Sequence, residues 1–340
     1  MTLDLNIIWF LLIGALLIGY AVLDGFDLGV GALHLFARRD DERRVLMNAI
    51  GPVWDGNEVW LVTAGGALFA AFPHAYATSF SGFYLAFVLV LFMLIFRAVA
   101  IEMRGKERWP WWRALWDWAF AVASIGASVL FGVAVGNMIV GIPVGADMEY
   151  AGRFIDLLRP YPLIVGVFNL SIFTMHGSMY LYLKTEGELQ AKVKRWISKT
   201  VPFFVVMYVV TTIYTLALIP SMLANFKLFP FMWGLVVLNV LAIANIPRAV
   251  FLKKPLEAFV SSACAIAALI TLFGFGIFPN LIRSSIDPGY NLTIYNAASS
   301  PLTLRIMLII AIIGLPFVVA YTVSIYWIFR GKVKLDRFSY

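Results

Sequence analysis

Polar positions are sparse and bunched along this chain, and between them run apolar stretches long enough to cross a bilayer, each about 20 residues or more. Reading these stretches predicts spans at 7–36, 49–72, 79–103, 114–140, 161–184, 199–224, 228–252, 256–279 and 303–329. The runs are continuous rather than alternating, which points to helices and away from a barrel of two-residue periodicity. The expectation is an all-α polytopic membrane protein of about nine transmembrane helices, with residues 1–340 forming a single integral membrane domain. No repeat, Ser- or Pro-rich linker or low-complexity segment divides it.

Charge placement orients the helices. Of the 26 Lys and Arg residues, twenty fall on one set of alternate connections: 38–44, 104–113, 184–199, 248–254 and 330–337. Five fall on the other set, Arg153, Arg159, Lys227, Arg283 and Arg305, and Arg97 stands alone inside a span. Basic residues gather on the cytoplasmic side, so the N-terminus is expected outside and the C-terminus in the cytoplasm. Trp109, Trp111, Trp112, Trp116 and Trp118 crowd one basic connection and the helix after it, as interfacial belts do. The longest outer connections, 141–160 and 280–302, carry the Pro and Gly of loops. No basic residue precedes Arg38, so the first apolar run lacks the cationic start of a cleavable signal and is expected to be retained.

Composition agrees with this reading. Hydrophobic residues make up 62% of the chain and charged residues 13%, with a mean hydropathy of +0.88, well below the charged fraction of about a quarter in soluble domains. The net charge of +7 is explained by the membrane-flanking loops, and no nucleic-acid role is assigned. The single Cys264 excludes an internal disulfide and a thiolate metal cluster.

Charged side chains in hydrocarbon are costly, so those inside spans are the functional candidates. In GYAVLDGFDLGVGALH (19–34), Tyr20, Asp24, Asp27, Gly31 and His34 share one helical stripe at about 100° per residue, with Gly25 and Gly29 on the far side. The polar stripe suits a proton or cation path, and the glycines suit close helix contact. The acids can equally be held by interhelical hydrogen bonds that only fix packing. In GPVWDGNEVWLV (51–62), Asp55 and Glu58 share a face near a helix start, where the dipole also favours carboxylates, and Trp60 points the other way. Arg97 must pair with an acid or snorkel to the nearby inner boundary, and it reads as a structural ion pair. Asp117 and Glu102 sit near inner ends, where charge is readily solvated. His34, His74 and His176 are the only histidines; a bis-His haem from His34 and His176 is conceivable but not expected, and no metal site or complete enzyme motif stands in a suitable context.

Several strings are long and unusual in composition: GYAVLDGFDLGVG (19–31), MNAIGPVWDGNEVW (47–60), TAGGALFAAFPHAYATSFSGFY (63–84), LWDW (115–118), GVAVGN (132–137) and AASSPLTL (297–304). Together they resemble the second subunit of cytochrome bd-type quinol oxidases. The resemblance implies two four-helix bundles plus one peripheral helix, and an activity: oxidation of membrane quinol and reduction of dioxygen to water, with protons drawn from the cytoplasm. It implies that two haems b and one haem d lie in a partner, subunit I, and that this chain ligates none and is not catalytic alone. It implies a stabilising role toward subunit I, a small single-helix accessory subunit as a further partner, and contact with lipid and quinol. Residue by residue, Asp24, Asp27 and Asp55 fall on the family's acidic positions, and Glu58 falls where other members carry Gln. These four are the candidate proton pathway, and Trp60 would lie by an oxygen route. A cation or proton-coupled secondary transporter is the rival reading, but the paired broken helices of two repeats are not found.

Overall fold

The computed structural model describes residues 4–335; the basic Arg337 counted above lies outside the described residues. The helices are α1 (Leu5–Leu33), α2 (Asp40–Ile50), α3 (Trp54–Ala71), α4 (Pro73–Gly82), α5 (Tyr84–Met103), α6 (Pro110–Val140), α7 (Pro160–Lys184), α8 (Gly187–Leu218), α9 (Ala224–Leu228), α10 (Trp233–Phe251), α11 (Pro255–Ile277) and α12 (Pro301–Ile328). Five of them, α4, α6, α7, α11 and α12, open on proline, whose missing N–H falls where a helix leaves donors unpaired anyway. Asp4 caps α1 by accepting from the Asn6 amide at 2.9 Å, and the Ser300 hydroxyl accepts from the Thr303 amide at the start of α12.

α1 is the hub, packed against α3, α6, α7 and α11. Its glycine face lies on α7: a Cβ on Gly29 would run into the Phe173 carbonyl, and one on Gly177 would run into the backbone of Gly29 and Val30. These two backbones touch because neither carries a side chain. α12 is peripheral, its most apolar 18-residue stretch burying nothing.

The connections sort to two ends. At one end the loops after α6 and α11 pair, with Ile142 N donating to Arg283 O and Ser285 N to Ile142 O, both at 2.9 Å. β1 (Asn280–Ile282) and β2 (Leu292–Thr293) complete this end, where Ser299 N donates to Ala71 O at 2.9 Å and the Trp9 indole donates to Leu304 O at 3.0 Å. At the opposite, basic end, Lys192 on α8 holds Glu42 on α2 at 2.6 Å, and Lys332 Nζ donates to the Leu183 and Thr185 carbonyls at the end of α7.

Among the described residues, eight helices are long and apolar enough to cross a membrane. The ninth expected span, 49–72, needs correction: 49–53 belong to the end of α2 and a turn, and α3 is an 18-residue helix whose first turns carry Asp55, Asn57 and Glu58 and is not among the eight. It nevertheless runs from the end of α2 to Ala71 at the opposite end of the molecule. Three other edges differ. The span expected from 79 begins at Tyr84, because the chain turns at Phe83 between α4 and α5 inside an unbroken apolar run. α8 starts at Gly187 rather than 199, since its first turns are polar and project beyond the apolar layer. Residues 219–232, in part assigned to spans, form short turns, 3₁₀ segments and α9.

Candidate functional site

The polar stripe of α1 faces α3, α5 and α6. Asp24, Asp27 and Arg97 are all fully buried. The Arg97 guanidinium lies 2.8 Å from Asp24 and is also paired with Glu58 on α3. Asp27 accepts from Asn57 Nδ2 at 2.7 Å, and the same amide reaches the Leu23 carbonyl at 3.1 Å. Tyr326 on α12 donates to Asn57 Oδ1 at 2.9 Å. Two carboxyls from two helices thus hold one guanidinium from a third, and a third carboxyl, Asp27, is held by Asn57 beside them, so that the acids outnumber the base. Unpaired charge in so dry a place is costly, which makes the cluster responsive to the number of protons it holds.

The expected residues do not all converge. Asp24, Asp27, Glu58 and Arg97 form one cluster; Asp55 stands outside it, exposed on the first turn of α3. Trp60 lays its ring over Gly19 of α1, where a Cβ would collide with it. Leu61 beside it and Tyr20 line an apolar cavity of about 460 Å³ bounded also by Phe131, Phe168 and Phe173.

A second polar group, missed in the sequence, caps the stripe toward the basic end. His34 Nε2 lies 2.5 Å from Asp117 of α6. Asp117 is bonded to Arg104 at 2.6 Å and to Arg43 of α2 at 2.7 Å, and Arg104 goes on to Asp40 at 2.7 Å. Arg104, just beyond α5, is held above its ordinary value by Asp117 and Asp40, which outweigh the opposing effect of burial. The sequence signals for this group were His34 on the stripe and Asp117 in LWDW, and nothing local paired the two, 83 positions apart. Tyr326 gave no signal at all among the aromatics of α12.

The family described as cytochrome bd terminal oxidase subunit II matches residues 5–329. The chain belongs to that family. It is 37% identical to the Escherichia coli (strain K12) cytochrome bd-I ubiquinol oxidase subunit 2 over 98% of this chain and 96% of that protein. It is 35% identical to the Bacillus subtilis cytochrome bd ubiquinol oxidase subunit 2 over 97% of each. A chain in the structure of bd oxidase from Geobacillus thermodenitrificans shares its fold, with a TM-score of 0.79 at 16% identity, covering 97% of this chain and 98% of that one. With its apolar helices, family membership makes this a multi-pass protein of the bacterial cell membrane.

Bound haem is the group the family brings to mind, and the histidines here do not fit its ligation. His176 spends both ring nitrogens inside the protein, on Ser262 Oγ at 2.7 Å and Val22 O at 2.9 Å, and stacks on Phe259. His34 is bonded to Asp117, and His74 is exposed at the start of α4. These environments hold the rings of His34 and His176 in protein contacts on different sides of α1, one toward α6 and one toward α11. Among the described residues no three His, Cys, Asp or Glu side chains converge as a metal-holding group.

Proposed function

We infer that this chain serves as subunit II of a membrane quinol oxidase that oxidises quinol and reduces dioxygen to water, and that its part is structural and proton-conducting. The cluster of buried Asp24, Asp27 and Arg97 with the partly exposed Glu58 carries this reading. Reducing dioxygen consumes protons within a low-dielectric layer, and a set of carboxyls in excess of base, on a stripe leading to the basic end, suits their passage. Asp24, Asp27 and Glu58 act as proton-exchanging groups, Asp55 as an outlying member, and Arg97 as the ion-pair anchor. Trp60, beside the apolar cavity, borders an oxygen route, since dioxygen prefers apolar surroundings.

The two haems b and haem d belong to a partner, subunit I, which this chain stabilises; a small single-helix accessory subunit and quinol complete the assembly. The chain is not catalytic alone. α3 counts as a ninth crossing helix, with the N-terminus outside and the C-terminus in the cytoplasm. α1, α3, α5 and α6 form one four-helix bundle and α7, α8, α10 and α11 the other, joined along α1, α6 and α7, with α12 peripheral.

Affinity purification of the tagged chain from mild detergent tests the assignment. The expected result is co-purification of a larger haem-bearing polypeptide, haem b and d absorption bands and quinol-dependent oxygen consumption. Recovery of the folded chain without haem or oxidase activity would overturn it.

A further inference from the structure

We propose that His34 relays protons between the basic end of the protein and the Asp27 carboxyl, with the Ser124 hydroxyl as the intervening group. The inference rests on the proton-conducting reading above and adds to it a residue, an order and an entrance.

Three features of the α1–α6 seam carry it. His34 and Asp27 lie on one face of α1, seven residues and so about 10 Å apart along the axis, too far for direct transfer. Between them on that face is Gly31, and where its Cβ would stand lies Ser124 Oγ of α6. Ser124 is fully buried, donates to the Phe120 carbonyl at 2.7 Å and keeps its oxygen free to accept. A hydroxyl therefore occupies the gap between the imidazole and the acid, and it does so only because residue 31 has no side chain.

Both ends of the gap hold unsatisfied groups. His34 Nδ1 and Asp27 Oδ1 are buried and have no hydrogen-bond partner among the described residues, although both side chains are fully enclosed. Buried polar atoms in native proteins are almost always paired, by protein or by water, so orphans at both ends of a hydroxyl mark a path that one or two waters can complete. The other ring nitrogen is fixed: Nε2 is bonded to Asp117, which is itself locked by Arg104 and Arg43, with Asp40 beyond. Phe120 packs edge-on against the ring at 5.2 Å. The ring is thereby oriented, and Nδ1 is the nitrogen left to work.

The step balances without a further reagent. With Nε2–H held on the Asp117 carboxylate, Nδ1 accepts a proton from a water supplied from the basic end, giving imidazolium while Asp117 stays ionised; Nδ1 then returns a proton to water in the seam, that water protonates Ser124 Oγ as the Ser124 hydroxyl proton passes to the Asp27 carboxylate, and rotation of the hydroxyl back to the Phe120 carbonyl resets it. His34 ends as it began.

The test is quinol oxidase turnover of the purified complex with ubiquinol-1 as substrate, across pH and in H₂O and D₂O, for His34→Gln, Ser124→Ala and Asp27→Asn. The expected result for His34→Gln is a fall in kcat of about tenfold with KM and haem bands retained, together with a larger solvent isotope effect and a changed pH profile. Ser124→Ala should show the same signature in weaker form. A His34→Gln complex with wild-type kcat, pH profile and isotope effect would overturn the proposal, and if Asp27→Asn is slow in that case, the proton-conducting reading survives without it. Wild-type behaviour of all three variants would remove both. If His34→Gln does not assemble, Ser124→Ala decides: slowed turnover with the enlarged isotope effect supports the relay, and unchanged turnover overturns it.

Discussion

Asn57 donates to Asp27 at 2.7 Å while accepting from Tyr326 at 2.9 Å, so one amide of α3 ties the acid of α1 to the peripheral helix α12. Its orientation is fixed by chemistry: the nitrogen must face the carboxylate and the carbonyl must face the phenol. From the polar first turns of α3, Asn57 is turned into the interior and Glu58 to Arg97, while Asp55 stays exposed.

Among the described residues Arg97 is the cation paired with these acids, and removing it leaves the buried Asp24 and the partly exposed Glu58 without their positive partner. Breaking one partner of a buried ion pair costs about 3–5 kcal/mol. Arg97→Met should therefore lower the thermal unfolding temperature of the complex and its yield from membranes. Arg97→Lys should recover part of the loss, because it restores the charge but not the fork that reaches two carboxyls. Wild-type stability in Arg97→Met would show that the acids do not depend on it.

Gly29 and Gly177 set the distance between α1 and α7. Gly29→Ala forces the Cβ into the Phe173 carbonyl, and backbone cannot swing aside as a side chain can. The expected cost is about 1–3 kcal/mol, that of overpacking a core. Gly14→Ala, where nothing lies within 4 Å, is the control and should be neutral. Equal thermal stability of the two variants would contradict the close-contact account.

Topology is tested at the two ends of α3. With Cys264 replaced, single cysteines at Arg43 and His74 should be labelled from opposite faces, Arg43 from the cytoplasm, as the proposed crossing of α3 requires. Cysteines at Lys194 and Asp147 should follow Arg43 and His74 respectively. Labelling of Arg43 and His74 from one face would reduce the crossing helices to eight.

The Glu42–Lys192 pair joins α2 to α8 at the basic end and predicts a pH dependence. Burial opposes ionisation of Glu42, but hydrogen bonds from Lys192 and from the amides of Arg39 and Arg38 outweigh it and hold the carboxyl below its ordinary value. A depressed folded-state value means stabilisation that is complete above the unfolded value, about 4.3, and is lost as pH falls through the folded one. The melting temperatures of wild type and Glu42→Gln should therefore differ at pH 7 and converge as pH drops below about 4. A gap independent of pH would mean that the pair's charge contributes nothing.

Much of this was legible in the sequence, and the rest was not for identifiable reasons. Hydropathy finds helices by the lipid they face, so α6, α7, α11 and α12 emerged within a few residues, their starts marked by Pro110, Pro160, Pro255 and Pro301. It is blind where a helix leaves the apolar layer, as in the first three turns of α8, and where two helices meet inside an apolar run, as at Phe83. The stripe from Tyr20 to His34 follows from helical period alone, as does the glycine face opposite. Its partners do not: the pairing of His34 with Asp117 and of Asn57 with Tyr326 depends on how distant helices dock. Asp55 and Glu58 show the limit of the period argument. Three residues apart, they share a broad face, yet Glu58 reaches Arg97 and Asp55 is exposed.

The central claim is that the buried acids of α1 carry protons to the reaction, and turnover of assembled complex carrying acid-to-amide variants tests it most directly. Asp27→Asn and Asp24→Asn preserve shape and most hydrogen bonding while removing titration, with Asp55→Asn as the exposed comparison. The measurement is quinol-dependent oxygen consumption normalised to the haem absorption of the same sample. The account predicts intact haem bands with turnover reduced by about tenfold or more in Asp27→Asn and Asp24→Asn. Full turnover per haem in Asp24→Asn, Asp27→Asn and Asp55→Asn alike would contradict it and leave this chain as a packing partner.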